Sequence, residues 1–248
     1  MSIPVAGIRG LMSAAVIIVA WAACLGIQLT QAWPPSGLPI WLPLGFVVQT
    51  FLFTGLFITA HDAMHGTLHP SRPRLNHALG RLCVTLYAGF SYDRMRRNHL
   101  AHHAYPGEPG DDPDYHDGQH TGPIAWYFTF MARYISLRPL LVQAALFEGL
   151  TTGLGLPGPQ VLLCQAAPAV MSSLQLFFFG TWLPHRAPAD ARTGRHVIQS
   201  TDLPGWLSFL TCFHFGYHKE HHDVPRAAWW QLPAVRRAAE SKRVLLHQ

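Results

Sequence analysis

Three stretches without a single Asp, Glu, Lys or Arg constrain this chain more than anything else in it: residues 10–29, 38–60 and 159–183. Each matches the ~20 apolar residues with which a helix crosses a bilayer. Residues 139–156 form a fourth run, weaker because it carries Glu148 and several glycines. Only 12% of all residues are charged, about half the share usual in soluble domains. The expected fold is therefore an all-α integral membrane protein with four transmembrane helices. Residues 61–138 and 184–248 form a cytoplasmic helical cap, and 1–248 is one domain. The first run is too long for a signal-peptide core, and Trp21 near its end does not suit a cleavage region.

The basic residues give an orientation. Of the 18 Lys and Arg, Arg9 precedes the first run, eight arginines lie between the second run and the fourth candidate, and nine follow residue 183. The short connections 30–37 and 152–158 have none. All 18 then fall on one side of a four-span bundle, which the positive-inside rule makes cytoplasmic. Both termini are expected there, with Pro34-Pro35 and the Gly/Pro cluster at 153–158 as turns on the outer side. The net charge of +5 reads as orientation and contact with anionic lipid rather than nucleic-acid binding. GLGLPG at 153–158 imitates a dinucleotide fingerprint, but it follows no strand, contains Pro157 and lacks the acidic residue about 20 positions on. Four scattered cysteines form no CxxC pair, which excludes a zinc ribbon or a redox dithiol.

Sixteen histidines outnumber the 13 acidic residues. Most fall in three clusters: HDAMHGTLH at 61–69, NHLAHH at 98–103 and HFGYHKEHH at 214–222. On a helix, positions i, i+3 and i+4 share a face. His99, His102 and His103 therefore project together, as do His218, His221 and His222, and His61 and His65 stand one turn apart. So many ionisable rings packed together need a compensating partner, and a cation bound by their lone pairs supplies one; neutral imidazole suits iron, zinc and copper. One tetrahedral zinc needs only three or four ligands. HDAMH also departs from the zinc-protease HExxH, because Asp62 stands where the glutamate base would be. Two metals sharing eight to ten imidazoles account for the number. His77, His116, His120, His196 and His247 fit no cluster and read as loop or interface residues.

The set HxxxH, HxxHH, HxxHH beyond the ends of membrane spans resembles the membrane di-iron fatty-acid desaturase/hydroxylase superfamily. HDAMHG, HLAHHAYPGEPGDDPDYH, FGTWLPHR and FHFGYHKEHHDVPRAAWWQLP narrow the resemblance to the bacterial β-carotene ketolases, over residues 61 to about 233. The resemblance implies two iron ions ligated by His61, His65, His99, His102, His103, His218, His221 and His222, with His185 as the ninth ligand. His69 and His214, each one turn from a ligand, stand as further ligands or as support. Asp62, Asp114, Asp117 and Glu220 are candidates to orient imidazole N–H groups.

What the resemblance implies for activity is oxidation by O2 of an unactivated C–H bond at ring C4 of β-carotene. Two successive hydroxylations followed by loss of water give the ketone. A ferredoxin-type donor supplies electrons from outside, and the site faces the cytoplasm at a bacterial inner membrane. A carotenoid 3-hydroxylase and a fatty-acyl desaturase are the alternatives on the same scaffold. A non-enzymatic membrane metal carrier is the alternative of another class, although a carrier would place its ligands near the bilayer midplane. Phe51, Phe53, Phe57, Trp126, Tyr127, Phe128, Phe177, Phe178 and Phe179 are available to line a substrate tunnel, with lipid contact and helix packing as the ordinary use of most of them.

Overall fold

Long apolar helices dominate the computed structural model, which describes residues 7–34, 37–186 and 198–246. Pro35, His196 and His247 lie outside the described residues. Helix α1 (Gly7–Thr30) and α2 (Leu42–Met64) run antiparallel. Gly10 meets the Leu68 carbonyl so closely that a Cβ there would sit 2.1 Å from its oxygen. At the other end Gln28 Nε2 donates to Gln49 Oε1 at 3.3 Å. The run Gly158–His185 lies parallel to α2. It comprises α7 (Gly158–Val161), α8 (Ala167–Leu176) and α9 (Leu183–His185), joined by π-helical turns at Leu162–Ala166 and Phe177–Trp182. Gln160 Nε2 donates to the carbonyls of Gln28, Leu29 and Gln31, and Thr54 Oγ1 meets Ser172 Oγ at 2.9 Å. Such buried polar contacts join helices where apolar burial gives little preference for one neighbour over another.

These three helices are long and apolar enough to cross a membrane. The expected fourth, 139–156, is shorter: α6 (Leu137–Glu148) ends in a π-helical turn at Gly149–Gly153. Glycines at 149, 153 and 155, the last with φ +69°, dissolve the helix there.

Within the expected cap, helix α3 (Pro73–Ala88) packs against a long apolar helix. It folds back along α2: Asn76 Nδ2 donates to the Ala63 carbonyl at 2.7 Å, and eleven residues later Tyr87 stands edge-on to Phe53. Tyr87 also donates to the Ala169 carbonyl at 3.1 Å, tying α3 to α8. Gly89, with φ +74°, ends α3 in the left-handed conformation that favours glycine. Helix α4 (Tyr92–Ala104) starts on Ser91, whose hydroxyl accepts the Arg94 N–H. Then come α5 (Pro123–Tyr134), α10 (Gly205–Cys212), α11 (His218–Asp223) and α12 (Leu232–Leu246). Arg94 and Arg96 bond backbone carbonyls, those of Arg133 and Met64.

Candidate metal centre

Helices α2, α4, α9 and α11 bring nine histidines together at one end of the bundle. His61, His65, His99 and His221 form one group, and His102, His185, His218 and His222 another, with ligand atoms in each within 4.8 Å of one another. His103 joins the first group: its Nε2 lies 3.2 Å from His99 Nε2 and 2.9 Å from His221 Nε2. Its ring also stacks on His222 at 4.0 Å between centroids, where the two groups meet.

The division follows helix geometry. Residues four apart are rotated by only about 40° around a helix, and residues three apart by about 60° the other way. Accordingly His61 and His65 face one group, as do His99 and His103, while His218 and His222 face the other. The i+3 member of each HxxHH box, His102 and His221, goes to the opposite group. Both boxes are thus shared between the groups.

The donor set fits two cations. His65 Nε2 and His99 Nε2 are 2.7 Å apart, His102 and His222 Nε2 3.0 Å, and His218 and His222 Nε2 3.2 Å. Nitrogens about 2.0–2.1 Å from a shared metal, on bonds at right angles, are about 3 Å apart. His61 Nε2 and His185 Nε2 are buried with no hydrogen-bond partner, a cost to folding that a bound cation removes. Burial, reinforced by repulsion among the neighbouring rings, holds His99, His218, His221 and His222 well below the usual histidine range. Burial, with help from Arg96, lowers His65 to about 4. Such rings are neutral at pH 7 and keep a lone pair for a metal.

The outer nitrogens of His185 and His102 are held as metal-ligating imidazoles require. His185 Nδ1 donates to the Thr181 carbonyl at 2.6 Å. His61 Nδ1 lies 3.6 Å from the Asp62 carboxylate, which accepts the Trp229 N–H at 3.1 Å. His102 Nδ1 sits 2.8 and 2.9 Å from the two oxygens of Asp112. Burial lowers the His102 pKa, but the carboxylate more than offsets this and the net shift is upward. Asp112 also accepts the N–H groups of Gly107 and Asp114.

Asp112 was not among the residues singled out from the sequence. Its signal was there: an aspartate followed by Pro-Asp, whose side chain closes a turn on its own backbone. The other acidic candidates are placed differently. Asp114 accepts from Tyr134 OH, and burial raises its carboxyl above the usual range. Asp117 is exposed, paired with His120 at 2.6 Å and held low by the His120 N–H. Glu220 accepts from Ser200 Oγ. His69 meets Ser71 Oγ at 3.2 Å, and His214 meets Ser208 Oγ at 3.3 Å and stacks on Tyr217. His77 meets the Tyr92 hydroxyl at 2.9 Å.

Asp112→Ala is expected to weaken metal binding about 10- to 100-fold, the usual effect of removing an outer partner of a ligating histidine. Asp112→Asn should fall between, and Asp117→Ala should match the parent. Competition with a chelator, followed by metal analysis, reads all three.

An apolar cavity of about 80 Å³ reaches the first histidine group. His61 and His99 form its polar wall; Phe57, Tyr87, Phe177 and Phe215 are among its apolar walls, and Asp114 and Tyr134 close another side. Phe215 stands edge-on to His61 with centroids 4.7 Å apart.

The family model for fatty acid desaturases matches residues 36–152 and 126–245. The chain belongs to the fatty acid desaturase family, an oxidoreductase scaffold into which the histidine groups and the long apolar helices both fit. Its relatives place it more narrowly. A beta-carotene ketolase of Paracoccus sp. (strain N81106 / MBIC 01143) is 43% identical over 89% of each chain. One from Paracoccus sp. (strain PC1) is 45% identical over 76% of each, and one from Haematococcus lacustris 37% identical over 94% of this chain and 81% of its own. Within the desaturase family, this membrane protein is a member of the beta-carotene ketolases.

Proposed function

We propose that the protein is a β-carotene 4-ketolase, converting the ring C4 methylene to a ketone by two O2-dependent hydroxylations and loss of water from the geminal diol. The observation that carries this reading is the pairing of two buried all-histidine groups with an apolar cavity that ends on one of them. Two iron ions held there supply the oxidation of an unactivated C–H bond by O2. His61, His65, His99, His103 and His221 hold one ion, and His102, His185, His218 and His222 the other. Phe57, Tyr87, Phe177 and Phe215 exclude water and press an apolar ring toward the first group. Asp112 and the Thr181 carbonyl keep the protons of His102 and His185 on Nδ1, so that each Nε2 faces inward. Each hydroxylation consumes one O2, two protons and two electrons and releases one water; a ferredoxin-type protein delivers the electrons.

The chain acts as a single catalytic unit in a bacterial inner membrane. In this reading α6 and its π-helical turn make a fourth crossing. Residues 30–37 and 152–158 face outward, and the metal centre and the segments beyond it lie in the cytoplasm. Gln160 supports this, because its bonds hold the two short connections at one end of the bundle, opposite the histidines. A reporter fused after His185 should be active only on the cytoplasmic side.

Cells making β-carotene and this protein, grown under labelled O2, test the reaction. Label is expected in a ring alcohol at early times and then in a 4-keto product, and purified protein should hold two irons. Gem-diols exchange oxygen with water, so the alcohol is the decisive species. A 3-hydroxy product alone would identify a hydroxylase. Newly unsaturated lipids with unchanged β-carotene would identify a desaturase.

A further inference from the structure

Outside the ring pocket, α5, α6 and the Gly158–His185 run enclose a far larger groove of about 1020 Å³. Its walls are apolar side chains turned outward: Ile124 is 74% exposed, Phe128 67%, Leu140 58% and Val170 57%. Lining residues extend from Ala166 to Phe179, a length of about 20 Å at 1.5 Å per helical residue. Tyr87, Phe90, Met131, Ser173 and Phe177 line both this groove and the small pocket that ends on His61 and His99. They form a neck between the large apolar trough and the small pocket. An exposed apolar patch of this size marks a binding site or a lipid-covered surface. Continuity through the neck favours a binding site, because a ligand too long for the small pocket has the groove as its way out past the shared residues.

We propose that this groove binds the polyene and the far ring of the carotenoid, admitting the substrate sideways from the bilayer, one ring first, through the neck at Tyr87 and Phe177. The proposal rests on the ketolase reading and goes beyond it in assigning how much of the substrate the protein encloses. One ring occupies the small pocket beside the first histidine group, and the other stays in the open trough. A rigid polyene cannot turn round inside a trough walled by α6 and α8. The second ring is therefore oxidised only after the molecule leaves and re-enters reversed, and the monoketone is a released intermediate.

Val170→Trp fills the groove at an outward-facing position. Val47→Trp places the same side chain on an exposed face of α2 outside the groove (Val47 is 63% exposed). Both full-length variants and the parent are reconstituted in lipid nanodiscs. Binding of β-carotene to the metal-free proteins is read from the circular dichroism that bound pigment acquires in its visible band. Val170→Trp is expected to weaken binding about tenfold, as overpacking of an apolar contact does. In the iron-loaded enzyme KM should rise by a similar factor with kcat nearly unchanged, and Val47→Trp should match the parent in both assays. In a pulse of labelled β-carotene chased with unlabelled excess, label should stop at the monoketone. Equal affinity in Val170→Trp and parent would make the groove a lipid-covered face and overturn the proposal. So would unchanged carotenoid affinity with an altered oligomeric state, which assigns the groove to a second copy. Label that runs on to the diketone during the chase would overturn the one-ring consequence. Parent protein that binds carotenoid in the groove yet forms no ketone would sink the ketolase reading and leave the groove standing.

Discussion

Alanine in place of His102 or His221 is expected to reduce ketone formation by on the order of a thousandfold, since a bound metal contributes several kcal/mol to catalysis. The two residues sit in different boxes, and each is the member that crosses to the other group. Each substitution should therefore leave one ion bound and lose the other, so metal analysis should fall from two irons per chain toward one. His103→Ala should behave like His221→Ala, and His218→Ala and His185→Ala like His102→Ala. Membrane insertion and thermal unfolding should change little in comparison. His77→Ala and His120→Ala, whose partners are Tyr92 and Asp117, should keep near-parent activity. Several box variants retaining full activity would refute the ligand assignment.

Gly80→Val is expected to have the next largest effect, for a different reason. A Cβ at Gly80 would sit 2.3 Å from the Tyr92 ring and 2.8 Å from the Ala63 methyl. These neighbours belong to α4 and α2, the helices that carry His99 to His103 and His61 to His65. Overpacking of this kind costs about 1–3 kcal/mol. The strain relaxes by moving α4 away from α2, which separates His65 from His99, now 2.7 Å apart between Nε2 atoms. Lower thermal stability and loss of metal from the first group should appear together. Gly122→Ala, at a position with no heavy atom within 4 Å of the added Cβ, is the matched control and should do neither. Unchanged metal content in Gly80→Val would show that the approach of α3 to α2 and α4 does not position the centre.

Much of the molecule was legible because its physics is local. A run without charge identifies a helix in hydrocarbon whatever surrounds it, and Gly7–Thr30, Leu42–Met64 and Gly158–His185 fall on the three such runs. The weak fourth run is shorter for a local reason too, its helical turns ending at Gly153. Spacing likewise placed the histidines of each box on one face. Loops and long-range packing were not legible in this way. Asp112 reaches His102 only because the chain after α4 turns back, with Gly107 and Asp114 N–H groups holding its carboxylate. Asp117, five residues on in the same acidic run, points to His120.

By itself, then, the sequence determined that the chain is a helical membrane protein, which residue types it offers to metals, and which of those share a helix face, because hydrophobic length and the 3.6-residue turn act within a segment. Only the tertiary structure decided how nine imidazoles divide between two groups and which group meets the apolar cavity. It also decided that α3 lies along α2 and that Asp112 rather than Asp117 meets His102. Those outcomes depend on the angles and distances at which separate segments converge. Contacts such as Gly80 against Tyr92 and Gln160 against Gln28 set these, across separations in the chain that local periodicity does not reach.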